Sequence, residues 1–121
     1  TGIYSTQHKS ALNDEFVKGF MQLGEGKHRV GWSAVSAWDA MRIMYDALEA
    51  MKGQKFDPDK FKAFVYGHKF ESPRGPVQID KSNGDIIQNV YIRKVERVNG
   101  ELFNVEFSTI PNVKDPAKAK K

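Results

Sequence analysis

Three histidines, His8, His28 and His68, and two acidic pairs, Asp14 with Glu15 and Asp57 with Asp59, are the side chains best suited to proton transfer or metal binding. The histidines stand in separate segments, and none has a second histidine or a carboxylate at ligand spacing, so solvated loop residues are expected. Each acidic pair falls where a helix begins, where caps and the helix dipole already account for it. The chain has no cysteine, which removes thiol nucleophiles, disulfides and cysteine-ligated metals together. No Gly-x-Ser-x-Gly elbow occurs. Gly24-Glu25-Gly26 lacks both the third glycine and the preceding strand of a dinucleotide fingerprint, and there is no phosphate loop. The sequence therefore offers no catalytic residue, no metal set and no cofactor motif, and an enzyme is not expected.

One stretch is louder than these. In "FESPRGPVQID", residues 70–80, apolar positions bracket Ser72-Pro73-Arg74-Gly75-Pro76. An arginine beside a glycine in such a setting suits either an anion clamp or a backbone bend.

The elements around it follow from periodicity. Residues 2–6, short, β-branched and aromatic, predict a strand. Asn13 or Asp14 predicts the cap of a first helix that carries Phe16, Val17, Phe20 and Met21 and closes at residues 24–26. The next helix has the clearest pattern. Ala34, Trp38, Met41, Met44, Tyr45, Leu48 and Met51 share one face, with Asp39, Arg42, Asp46 and Glu49 opposite, and Gly53 as the stop. Asp57-Pro58 predicts cap and first turn of a third helix, which runs to about Gly67 with Phe61, Phe64 and Val65 inward. The period then drops to two at Val77 and Ile79 and again at Val90 and Ile92. Asn99-Gly100 predicts a type I′ hairpin within residues 91–110. The expected order is strand, three helices and three strands, an α/β chain whose helices present more apolar surface than these strands can cover.

Composition sets outer bounds. At 121 residues, 40% hydrophobic and 28% charged, the chain is of ordinary globular type. The net charge of +4 is nearly all in the lysine-rich residues 114–121, and no basic stripe interleaved with aromatics is present, so nucleic acid is not an expected partner. No apolar run approaches the ~20 residues that span a bilayer.

Three stretches, "GIYSTQH", "VGWSAVSAWDAMRIMYDALEAM" and "FESPRGPVQIDKSNGDIIQNVYIRKV", together resemble the last part of the periplasmic solute-binding proteins of branched-chain amino acid-type ABC transporters. The resemblance covers about residues 1–113 and only about the last third of such a protein. It implies an α/β fragment of the two-lobed type I periplasmic-binding-protein fold, three helices and then strands and a β-hairpin. About residues 8–90 would come from the first lobe and about 91–113 from the second, with 114–121 as a tail. Residues 6–10 and 88–91 would be two of the three crossings between lobes. Arg74-Gly75-Pro76 would then be the bend that leads into the strand at Val77, and Arg74 a surface charge.

The same resemblance implies a small-molecule ligand, a membrane permease as partner and a periplasmic (or extracellular, lipid-anchored) location. A ligand-sensing domain of a receptor or regulator is the alternative, because the fold serves both roles. Most ligand contacts of the family lie upstream of this chain. Within it, the start of the long helix would face the ligand, which singles out Trp32 and Ser33, with Tyr4 and Thr6 near a crossing. Members often carry Phe-Tyr at the Trp32-Ser33 position, and the smaller Ser33 leaves room for a solute bulkier than a branched-chain amino acid. The isolated chain, with uncovered helix faces, is expected to form a homodimer.

Overall fold

The structure is a computed structural model that describes residues 2–118. Helix α1 spans Ala11–Leu23, α2 Trp32–Ala50 and α3 Pro58–Val65; strands β1 (Lys69–Ser72), β2 (Gly75–Ile79), β3 (Ile86–Val98) and β4 (Glu101–Val113) follow. The strands form one antiparallel sheet in the order β1-β2-β3-β4, a meander.

Local chemistry fixes most boundaries. Ser10, in extended conformation, accepts from the Asn13 N–H and starts α1, so the cap lies three residues before the position expected from the sequence. Asn13 is instead fully buried in the first turn. The Asp57 carboxylate accepts from the Asp59 and Lys60 N–H groups with Pro58 following, as expected for α3. Asn99 and Gly100 both have positive φ (51° and 87°), which two-residue hairpin turns of type I′ require.

The strands also differ from expectation. Residues 2–6 are not a strand, because no ladder forms on them among the described residues. In their place the sheet gains β1, which pairs with β2 from Ser72 opposite Gly75, so Pro73 and Arg74 are the loop of a tight hairpin. Gly75, at φ 98°, follows that loop.

The core lies between α2 and the three-stranded part of the sheet. Val35, Ala47 and Met51 of the helix side and Phe70, Val77, Ile79, Ile87 and Tyr91 of the strand side are buried. Helix α2 thus packs through Val35, Asp39 and Ala47 rather than through the expected apolar stripe, and Met41, Met44, Tyr45 and Leu48 are exposed. The strands β3 and β4 continue as a long two-stranded ribbon, most of β4 exposed, with irregular register between Gln88 and Val90 and between Ile92 and Arg93.

Candidate ligand cavity

Three segments distant in sequence enclose a cavity of about 520 Å³: residues 2–6, 29–32 and 102–104. The first is held by α1. Asn13 accepts from the Tyr4 hydroxyl (2.7 Å) and donates through Nδ2 to the carbonyls of Thr6 (3.1 Å) and His8 (2.8 Å). A buried amide with three bonds of this kind fixes the path of an otherwise irregular segment. Tyr4 also meets Phe16 edge-on at 6.1 Å. Burial holds the Tyr4 hydroxyl well above its ordinary pKa, so it is a neutral donor at any physiological pH.

The second wall is the entry to α2. Val30 is buried and anchors it, while Trp32, the first residue of the helix, is 64% exposed and lines the cavity. Gly31 caps α2 without a side-chain hydrogen bond, which leaves the N–H groups of the first turn available and the positive end of the helix dipole at the cavity. The third wall comes from β4, where the Ser5 hydroxyl donates to the Asn104 carbonyl (2.6 Å). The structure thus brings Tyr4, Thr6 and Trp32 to one cavity; Ser33 is exposed in the first turn of α2 and is not among the lining residues. Among those residues Arg29 is the one full charge, and no carboxylate is present.

Three polar clusters outside the cavity lining correct the sequence reading. Arg74 is buried, not a surface charge: its Nε donates to Asp39 Oδ2 at 2.7 Å and Nη1 to Gln88 Oε1. His8 and His68 are not solvated either. The His8 Nδ1–H donates to Glu106 Oε2 (2.9 Å), its ring lies 4.9 Å from that of Tyr91, and Arg93 donates to the other Glu106 oxygen (2.9 and 3.1 Å). His68 bonds Asp46 at 2.9 Å. For Asp46, burial pushes the carboxyl pKa up, yet the His68 and Arg42 hydrogen bonds outweigh it and leave the group below its ordinary value. His28 alone stays exposed.

Sequence gave no hint of the His8–Glu106 pair, whose members are 98 residues apart. The signal for Asn13 was available, since a serine three residues upstream of a buried amide is a cap arrangement. None of these clusters sets a hydroxyl nucleophile against a base, and among the described residues no group of three or more His, Asp or Glu could hold a metal. Their effect is to tie residue 8, α2, the β1–β2 turn and the β3–β4 ribbon together. No helix is long and apolar enough to cross a membrane among the described residues.

Comparison with known proteins places this geometry. A family model described as "Periplasmic binding protein" matches residues 1–101. The Leu/Ile/Val-binding protein homolog 6 of Brucella abortus (strain 2308) is 34% identical over 114 residues, 93% of this chain and 29% of the relative. Among solved structures, a solute binding protein of an ABC transporter from Rhodopseudomonas palustris BisB5, in complex with 3,4-dihydroxybenzoic acid, is 46% identical with a TM-score of 0.88 over 96% of this chain and 31% of that one. A second, from Rhodopseudomonas palustris HaA2 in complex with p-hydroxybenzoic acid, is 42% identical with a TM-score of 0.85 over 98% and 32%. A third, from R. palustris in complex with benzoate, is 29% identical with a TM-score of 0.74 over 94% and 30%. The chain therefore spans just under a third of the length of these relatives. It is an α/β portion of the two-lobed type I fold, and it belongs to the periplasmic binding protein family.

Proposed function

We propose that the chain is the C-terminal portion of a periplasmic solute-binding protein that captures a hydroxylated benzoic acid and presents it to an ABC permease, a binding role without catalysis. In this reading residues 8–90 belong to the first lobe, 91–113 to the second, and 114–121 form a tail.

The observation that carries the reading is the chemical character of the cavity. Its volume suits a small organic ligand. The Trp32 indole, with Ile3 and Leu102 also exposed, offers an apolar wall for an aromatic ring. The uncapped start of α2 supplies positive potential for a carboxylate, while the Arg29 guanidinium beside it is paired with Glu101. The bound aromatic acids of the R. palustris proteins support the same ligand class.

Titration calorimetry on the full-length protein tests this with 3,4-dihydroxybenzoate, 4-hydroxybenzoate and leucine. The aromatic acids bind and leucine does not, and Trp32→Ala weakens the aromatic acids by ~1–3 kcal/mol through the lost apolar contact. Binding of leucine alone would overturn the ligand class; equal affinities of folded wild type and Trp32→Ala would remove the indole from the site.

Taken alone, the 121-residue chain pairs with a second copy. The support is the exposed stripe of Met41, Met44, Tyr45 and Leu48 on α2 and the position of β4 at the edge of the sheet, with no further strand beside it among the described residues.

A further inference from the structure

We propose that Arg29 is a reversible clasp, which fastens the tip of the β3–β4 hairpin over the cavity and sets how fast a bound solute leaves. The proposal rests on the ligand reading above and adds to it the step that controls release.

Arg29 stands in the loop before α2 and reaches across the cavity to three successive residues at the start of β4. Its Nη1 donates to the Leu102 carbonyl at 3.0 Å, its Nη2 to the Glu101 carboxylate at 2.5 Å, and its guanidinium carbon lies 4.2 Å from the centre of the Phe103 ring. Only a planar, forked cation meets a carbonyl, a carboxylate and an aromatic face at once. The hairpin end has little else to hold it: Val95, Leu102 and Glu101 are exposed, and the Ser5–Asn104 bond lies beyond the clasp toward the sheet.

Exposure separates this contact from a fixed structural pair. The Arg29 and Glu101 side chains are 52% and 65% exposed, against 5% for Arg74, so water can replace the partners of Arg29 when the hairpin lifts. On the lobe assignment above, residue 29 belongs to one lobe and residues 101–103 to the other. The contact then forms as the lobes close and breaks as they part, which is a hinge motion with a latch. A latch that forms whenever the lobes close, with or without ligand, slows departure from the closed arrangement and leaves entry into the open one alone.

The test uses the full-length protein as wild type, Arg29→Ala, Arg29→Lys and Glu101→Gln, with 3,4-dihydroxybenzoate as probe. Amide hydrogen exchange at residues 102–104, without ligand, reads the fastening; stopped-flow tryptophan fluorescence reads release. Arg29→Ala is expected to raise both the exchange rate at 102–104 and the dissociation rate about tenfold, with association within about twofold. Amides of α3 stay unchanged as an internal control. Arg29→Lys falls between, because it keeps the charge and loses the fork, and Glu101→Gln, a change at an exposed side chain, moves the same way with the fold intact. Unchanged exchange at 102–104 would overturn the clasp, and faster exchange with unchanged dissociation would overturn its control of release. Should no aromatic acid bind the wild type, the ligand reading falls while the exchange arm still decides whether Arg29 fastens the hairpin.

Discussion

Arg74 links three elements through a single buried side chain. It is buried with Asp39 and Gln88, and so joins the β1–β2 turn to the middle of α2 and to the start of β3. The Asp39 Oδ1 atom has no partner among the described residues. Removing the guanidinium would therefore leave a buried carboxylate with nothing to offset its desolvation. Arg74→Ala is expected to lower the unfolding free energy by ~3–5 kcal/mol. Urea denaturation checks it, and the double variant Asp39→Leu, Arg74→Met should recover part of the loss, because it removes the stranded charge. A change in Arg74→Ala within ~0.5 kcal/mol, the range of ordinary surface substitutions, would contradict the buried-pair account. Nothing in the local sequence marks this role. An arginine between proline and glycine reads as a solvated turn, and the partners that bury it stand 35 and 14 residues away. Gly75 is similar. Its positive φ was foreseeable from the turn, whereas the Tyr91 hydroxyl, which a Cβ at Gly75 would overlap, comes from another strand.

Among the elements, those set by local chemistry were legible and those set by tertiary partners were not. The Asp57-Pro58 start of α3 and the Asn99-Gly100 hairpin depend on capping and on positive φ, which neighbours in sequence dictate. Helix α2 was equally clear as a helix, but its orientation was not. Seven apolar residues at three- and four-residue steps name an apolar face without naming what covers it, and in the structure the side bearing Val35, Asp39 and Ala47 meets the sheet. Asp39 sits inward because Arg74 compensates its charge, a fact that hydropathy patterns cannot carry. Residues 2–6 have strand composition yet no ladder partner among the described residues, while β1 (Lys69–Ser72), charged or polar at three of its four positions, becomes a strand because β2 folds back on it. Of the cavity, the aromatic at the head of α2 and the segment around Tyr4 could be named from the family resemblance. The wall from β4, with Phe103 and Asn104, could not, because it reaches the cavity only through the length of the ribbon.

At the scale of the whole molecule, the chain covers about 30% of the relatives it matches, and the stripe on α2 lies open. Water is a poor partner for a contiguous surface of Met41, Met44, Tyr45 and Leu48. Light scattering on the 121-residue chain should report a dimer, and a monodisperse monomer would show that the stripe does not drive association. The same incompleteness bears on binding, since residues 2–6, 29–32 and 102–104 line the cavity within a chain that spans about 30% of its relatives. The central claim, that these three segments form one side of an aromatic-acid site, has a direct test in a crystal structure of the full-length protein with 3,4-dihydroxybenzoate. The account predicts the benzoate ring within about 4 Å of the Trp32 indole, its carboxylate directed toward the start of α2, and residues 102–104 closing the far side. A ligand seated elsewhere, with Trp32 free of contact and the 29–32 loop facing solvent, would contradict it.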